Sequence, residues 1–152
     1  MSGKKIGTHN GKFHADEVMG CFMLKTLPMY KDAEIVRTRD MKILDQCDIV
    51  IDVGAVYDHS RCRYDHHQRK DGQEKSEFDE TMKSVTGVKE YIKLSSAGLV
   101  FAHYGKEVIR QITPKQLTDR ELDMVYLAMY RNLIKEVDAI DNGIDPCDHK
   151  LR

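Results

Sequence analysis

Short apolar runs and longer helical stripes alternate along the chain. Residues 4–8 form a brief run that leads into His9 and reads as a strand ending at a polar motif. "DEVMGCFMLKTL" (16–27) is apolar nearly all round, through Val18, Met19, Cys21, Phe22, Met23 and Leu24. That pattern predicts a buried helix, ended by Pro28. "AEIVRT" (33–38) and "DIVIDVG" (48–54) read as strands, the second with apolar residues packed around Asp52, as in a central parallel strand. "RYDHH" (63–67) reads as a shorter strand or strand end.

Residues 68–93 are charged and without clear periodicity, which predicts a long surface loop holding one helical turn. "LSSAGLVFAHYGKEVIRQI" (94–112) opens with Ser95 or Ser96 as N-cap and carries a stripe of Val100, Phe101, Tyr104, Val108 and Ile112. The segment 118–143 is the clearest helix. Thr118 and Glu121 make a capping box, and Leu122, Val125, Met129, Leu133, Val137 and Ile140 form its expected buried face, with Gly143 ending it.

Strands alternating with helices predict an α/β fold with a mostly parallel sheet flanked by helices. In such sheets, ligands gather at the carboxyl ends of the strands. His9, Asp52 and the run Asp65-His66-His67 all fall at or near such ends.

Composition narrows the picture. A length of 152 residues suits one domain, and 41% hydrophobic with 32% charged residues is a globular balance. A net charge of −1 argues against tight non-specific binding to long duplex DNA. The cysteines at 21, 47, 62 and 147 form no C-x-x-C pair, so reduced thiols are expected rather than a disulfide or structural zinc framework. No apolar run reaches the ~18 residues of a membrane span. The N-terminal residues hold no visible transit peptide, so a cytoplasmic or nuclear location is expected.

The candidate chemistry lies in carboxylates and histidines. Asp138 and Asp141 share one face near the end of the last helix, where the negative end of the dipole disfavours them by ~0.3–1 kcal/mol each. Something positive should offset that repulsion. His9, His14 and Asp16 come from one strand-to-helix turn, and Asp52 sits in an apolar strand where a lone charge is expensive. In an extended chain His66 and His67 point to opposite faces, so they serve different roles. Mixed imidazole and carboxylate ligands suit Mn²⁺, Mg²⁺ or Fe²⁺ better than structural zinc. There are too many for one ion. They suggest two ions about 3.5–4 Å apart with a shared carboxylate, an arrangement that serves phosphoryl chemistry. Arg37, Arg39, Arg61, Arg63, Arg69 and Lys70 stand near these motifs and suit phosphate oxygens.

"GTHNGKFHADE", "AEIVRTRD", "IDVGAVYD", "RYDHHQR", "FDETM", "LSSAGLVFAHYG" and "EVDAIDNGI" occur in the same order as in a known family. The chain resembles the MYG1 (UPF0160) proteins, within the wider DHH phosphoesterase superfamily. The resemblance implies a Rossmann-like DHH domain over 1–152, with the family's second, C-terminal domain absent, and a two-Mn²⁺ site with Mg²⁺ as the alternative. It implies that His9 and His14 hold one ion with Asp52, which bridges. Asp16, His66 and either Asp138 or Asp141 would hold the other. His67 would face the substrate phosphate or protonate the leaving group, and Asp65 would steady the histidines. Arg37, Arg39 and Arg69 would contact substrate. The implied activity is a 3′–5′ exonuclease acting on RNA or short oligonucleotides, with a nuclear or mitochondrial setting. A small-molecule phosphatase or pyrophosphatase, or an inactive metal-binding module, are the competing readings. The chain departs from the superfamily in carrying His14-Ala15-Asp16 where Asp-x-Asp is common, and in being shorter than MYG1 proteins.

Overall fold

Ile49 and Ile51 face one side of a sheet and Val50 the other, and all three are buried. This strand therefore lies inside a sheet covered on both faces, as its continuous apolar run requires. The computed structural model describes residues 3–67 and 80–145. Five strands are ordered β2-β1-β3-β5-β4, where β1 is Lys5–Thr8, β2 Glu34–Arg37, β3 Ile49–Ile51, β4 Tyr57–Asp58 and β5 Arg63–Tyr64. β2, β1, β3 and β5 run parallel, and β4 pairs antiparallel with β5 at the edge. The protein is thus α/β, with a mostly parallel sheet flanked by helices.

The two faces are covered unequally. Helices α1 (Ala15–Thr26), α4 (Ser96–Ile112) and α5 (Asp119–Met129) build the main core with Ile6, Ile49, Ile51 and Tyr64. The short α2 (Met41–Leu44) covers the other face through Leu44, packed with Cys47, Val50 and Val53. Neither α2 nor β4 is legible in the periodicity. Both are too short to show a period, and α2 depends on its Asp40 cap, which accepts from the Lys42 N–H at 2.9 Å. α1 also departs from expectation. Val18 and Phe22, one turn apart, are about half exposed, so the helix is not buried all round.

Part of the expected loop is structured. Residues 68–79 lie outside the described residues, but α3 (Met82–Thr86) follows, with Met82 fully buried and Thr81 capping the Ser84 N–H at 3.2 Å. Glu90 then ties this segment to Arg131 and Lys135 at 2.7 and 2.8 Å.

The last helical stretch begins as expected, with the Thr118–Glu121 capping box. It then passes through a π-helical segment, Tyr130–Ile134, before α6 (Lys135–Asp141). A π turn takes in an extra residue without adding a turn, which rotates everything after it. The expected inward residues Leu133 and Ile140 are 39% and 71% exposed, while Ile134 and Asp138, each displaced along the chain, are buried. Asp138 is thereby turned into the core. It is accommodated by a close approach at Gly98, where a Cβ would collide with the Asp138 carboxylate.

Candidate metal centre

Parallel pairing brings the ends of β1, β3 and β5 to one edge of the sheet, and the residues just beyond them are His9, Asp52 and Asp65-His66. The connection out of β1 runs to β2 on one side and that out of β3 runs to β4 and β5 on the other, so a crevice opens between β1 and β3. Asp52 turns into this crevice with a left-handed backbone (φ 55°). This conformation costs a non-glycine residue about 1–2 kcal/mol, although aspartate tolerates it better than most.

The N-terminus of α4 organises the carboxylates. Its Ala97 and Ser96 N–H groups donate to Asp16 at 2.5 and 3.1 Å, the Ser96 hydroxyl donates to Asp52 at 3.3 Å, and Ser95 donates to Asp138 through its N–H at 3.0 Å and its hydroxyl at 2.7 Å. Free N–H groups and the positive end of the dipole suit anions at this point. Glu17, fully buried, accepts from the His14 N–H at 2.7 Å and lies 3.5 Å from the Arg37 guanidinium.

Three groups of ligand-type side chains result, with the donor atoms in each no more than 4.8 Å apart. That is about the span of two ligands across one cation with bonds of about 2.0–2.3 Å. The groups are His9-His14-Glu17-Asp52, Asp52-Asp65-His66-His67 and Asp16-His66-Asp141. Asp52 joins the first two. Its Oδ2 lies 3.4 Å from His9 Nε2, and its Oδ1 lies 3.7 Å from His66 Nε2 and 3.6 Å from His67 Nδ1. His66 Nε2 also lies 3.5 Å from Asp16 and 2.7 Å from Asp141 Oδ2.

The residues fit divalent cations on a further ground. The buried atoms His9 Nε2, Glu17 Oε1, His66 Nδ1 and Nε2, and Asp141 Oδ2 have no aligned hydrogen-bond partner. A buried polar atom left unsatisfied costs ~1–3 kcal/mol. His9 Nε2 and His66 Nε2 both face carboxylate oxygens of the ligand groups, so a cation in place of their protons would satisfy several of these atoms together.

Charge states follow from the same crowding. Burial, and then the Asp16 and Asp141 charges, push Asp52 up to about 8. Burial and Asp141 raise Asp16. Burial lowers His9, favouring the neutral ring that a ligand needs. Burial alone would raise Asp65, but hydrogen bonds from His67 and Ala55 outweigh it and leave it lowered. The same Asp65–His67 bond, 2.8 Å at Nδ1, raises His67, which is largely exposed.

Of the aspartates near the helix end, Asp141 enters the cluster and Asp138 does not. Asp138 is enclosed against Ser95, and burial lifts it to about 7. Arg39 lines the cleft of about 610 Å³ above the site with His9, His14, Asp52, His67 and Asp141. Arg37 stands beside it, bonded to the Gly11 carbonyl at 3.0 Å. Arg63 is elsewhere: it donates to the Cys47 carbonyl, before the start of β3 and at the opposite edge of the sheet. Arg69 and Lys70 lie outside the described residues. Sequence reasoning missed Glu17 and Ser96. Glu17 stands three residues after the His14 cap, a capping-box spacing hidden because histidine replaces Ser or Thr. Nothing in the sequence marks Ser96 as a partner of Asp52.

Two predictions follow from this geometry. Asp138→Ala should lower stability by about 1–3 kcal/mol in chemical denaturation, by stripping Ser95 of its acceptor, and leave Mn²⁺ affinity in calorimetry nearly unchanged. Asp141→Ala should do the reverse, weakening Mn²⁺ binding by about 10-fold or more. The second concerns pH. The Asp52 carboxyl, raised when folded and near 3.9 when unfolded, contributes stability that is full below about pH 4 and lost as pH rises through its folded value. In chelator-treated protein, Asp52→Asn should therefore gain melting temperature over the parent on going from pH 5 to pH 9, by at least about 2 °C. A difference independent of pH would contradict the assignment.

The chain matches the MYG1 exonuclease family, described as an uncharacterised protein family (UPF0160), over residues 5–152. It is 50% identical over 143 residues to a MYG1 protein of Caenorhabditis elegans, covering 94% of this chain and 40% of the relative. It is 50% identical over 145 residues to the MYG1 exonuclease of Homo sapiens (95% and 37%) and 43% identical over 141 residues to a MYG1 protein of Saccharomyces cerevisiae (93% and 38%). The chain thus spans about two-fifths of the length of these relatives. No solved structure gave a significant match. With the family profile covering nearly all of its residues and half of them shared with animal relatives, the chain belongs to the MYG1 (UPF0160) family.

Proposed function

We propose that this chain carries the hydrolytic centre of a metal-dependent phosphodiesterase of the DHH type, an exonuclease that removes nucleotides from the 3′ end of RNA or short oligonucleotides. The observation that carries the reading is the double role of Asp52, whose two oxygens address His9 on one side and His66 on the other. Relatives from human, rat, cattle and mouse bear the name MYG1 exonuclease, which supports a nuclease role.

His9, His14, Asp52 and Glu17 would hold one cation, and Asp16, His66 and Asp141 with Asp52 the other. Mn²⁺ suits this imidazole–carboxylate set, with Mg²⁺ the alternative. When bound, such cations supply Lewis acidity, which acidifies water and neutralises charge on phosphoryl oxygens. The chain's own groups do the rest. His67 has Nδ1 committed to Asp65, so Nε2 is the nitrogen available to substrate, and its raised pKa keeps a proton there for the leaving oxygen or a phosphate oxygen. Asp65 also accepts from the Ala55 N–H at 2.7 Å and thereby fixes the wall of the cleft. Arg39 and Arg37 supply planar donors for phosphate beside the cluster.

A second reading, a small-molecule phosphatase or pyrophosphatase, is favoured by the near-neutral charge of −1, which gives little long-range attraction for a polyanion. Incubating the chain with Mn²⁺ and an end-labelled oligoribonucleotide, and separately with pyrophosphate, distinguishes the two. The expected result is stepwise shortening from the 3′ end, intact pyrophosphate, and loss of about 100-fold or more in Asp52→Ala with its fold retained. Hydrolysis of pyrophosphate alone would support the second reading. Mn²⁺ binding with no hydrolysis of either would make the chain a metal-binding module. Undiminished activity in Asp52→Ala would refute the site.

A further inference from the structure

The loop from β1 to α1 leaves a large aromatic residue in water. Phe13 is 73% exposed, directly before His14, whose side chain lines the cleft. A singly exposed apolar side chain needs no explanation in general. This one is held. The Arg37 guanidinium, carried on β2, lies over its ring at 4.1 Å from the centroid. The same guanidinium donates to the Gly11 carbonyl at 3.0 Å and lies 3.5 Å from the buried Glu17 carboxylate. Glu17 in turn accepts from the His14 N–H at 2.7 Å and belongs to the first ligand group. The position of Phe13 is therefore tied, through Arg37 and Glu17, to the cluster itself.

Its surroundings are cationic. Arg39 lines the cleft and approaches Gly11 from the side, where a Cβ would meet its guanidinium at 3.4 Å. Lys12 is exposed on the same loop. An open aromatic ring among guanidinium and ammonium groups, next to a cluster suited to phosphate, matches the two halves of a nucleotide. The flat base stacks on the ring, and the phosphate meets the cations. An inorganic phosphate or pyrophosphate has nothing to offer the ring.

We infer that Phe13 is the base-stacking platform of the site: the nucleobase attached to the phosphate held over Asp52 lies on the open face of Phe13, and Arg37 fixes the ring from the other. This inference rests on the phosphodiesterase reading and deepens it, because it selects nucleotides over base-free phosphates without reading base sequence.

The chain has no tryptophan, so Phe13→Trp provides a single fluorescent reporter. With Mn²⁺ present, AMP should quench that fluorescence and ribose 5-phosphate should not. By calorimetry the parent should prefer AMP to ribose 5-phosphate. Phe13→Ala should reduce that preference by about 5- to 150-fold, the loss of one base–aromatic contact, and Phe13→Trp should keep it. Thermal melting of Phe13→Ala like that of the parent would establish that the change is local. Equal affinity of the parent for the two ligands, or a preference unchanged in Phe13→Ala, would overturn the platform and leave the phosphate site standing. Failure of the parent to bind either ligand would overturn the platform and the phosphodiesterase reading together.

Discussion

Mutual repulsion among buried carboxylates is the constraint that the rest of this structure answers. Asp16, Glu17, Asp52, Asp65 and Asp138 are all enclosed, and Asp141 faces Asp16 across His66. Left uncompensated, such a group is driven towards its neutral form at a cost in stability. Each carboxylate is compensated differently. Asp16 has two backbone donors of α4, Asp65 has Ala55 and His67, Asp138 has Ser95, and Glu17 has the His14 N–H with Arg37 nearby. Asp52 has only a 3.3 Å bond from Ser96 and histidines at longer range, and burial with the neighbouring Asp16 charge pushes it up to about 8. The compensation is thus incomplete where a cation would complete it.

The fold serves that arrangement in two ways. Parallel pairing of β1, β3 and β5 sets His9, Asp52 and His66 side by side with no long loop to position them. The N-terminus of α4 then closes the cluster from the helical layer, so one helix end supports aspartates from α1, from the end of β3 and from α6. The π segment before α6 turns Asp138 into the core and Asp141 toward His66.

Much of this could be read from the chain. β1, β2 and β3 follow from their apolar runs, α4 and the start of α5 from their caps and stripes, and the crevice from the coincidence of His and Asp with strand ends. What could not be read has physical reasons. The π segment has no periodicity signal of its own, and the inward face lies one residue later than the stripe predicts from Tyr126 onward, at Tyr126, Tyr130, Ile134 and Asp138. Val18 and Phe22 are apolar but outward, because hydrophobicity alone does not say which faces of a helix find a partner. Glu17 was hidden by a histidine in the cap position. Arg61 and Arg63, near the motifs in sequence, precede or lie within β5, and Arg63 reaches back to the far edge of the sheet.

The account rests on whether the histidine and aspartate clusters hold two cations with Asp52 between them. An anomalous-scattering map from crystals soaked in Mn²⁺ tests this directly. The account expects two peaks flanking the Asp52 carboxylate, one beside His9 and His14, the other beside Asp16, His66 and Asp141. A single peak away from Asp52, or none at saturating Mn²⁺, would contradict it.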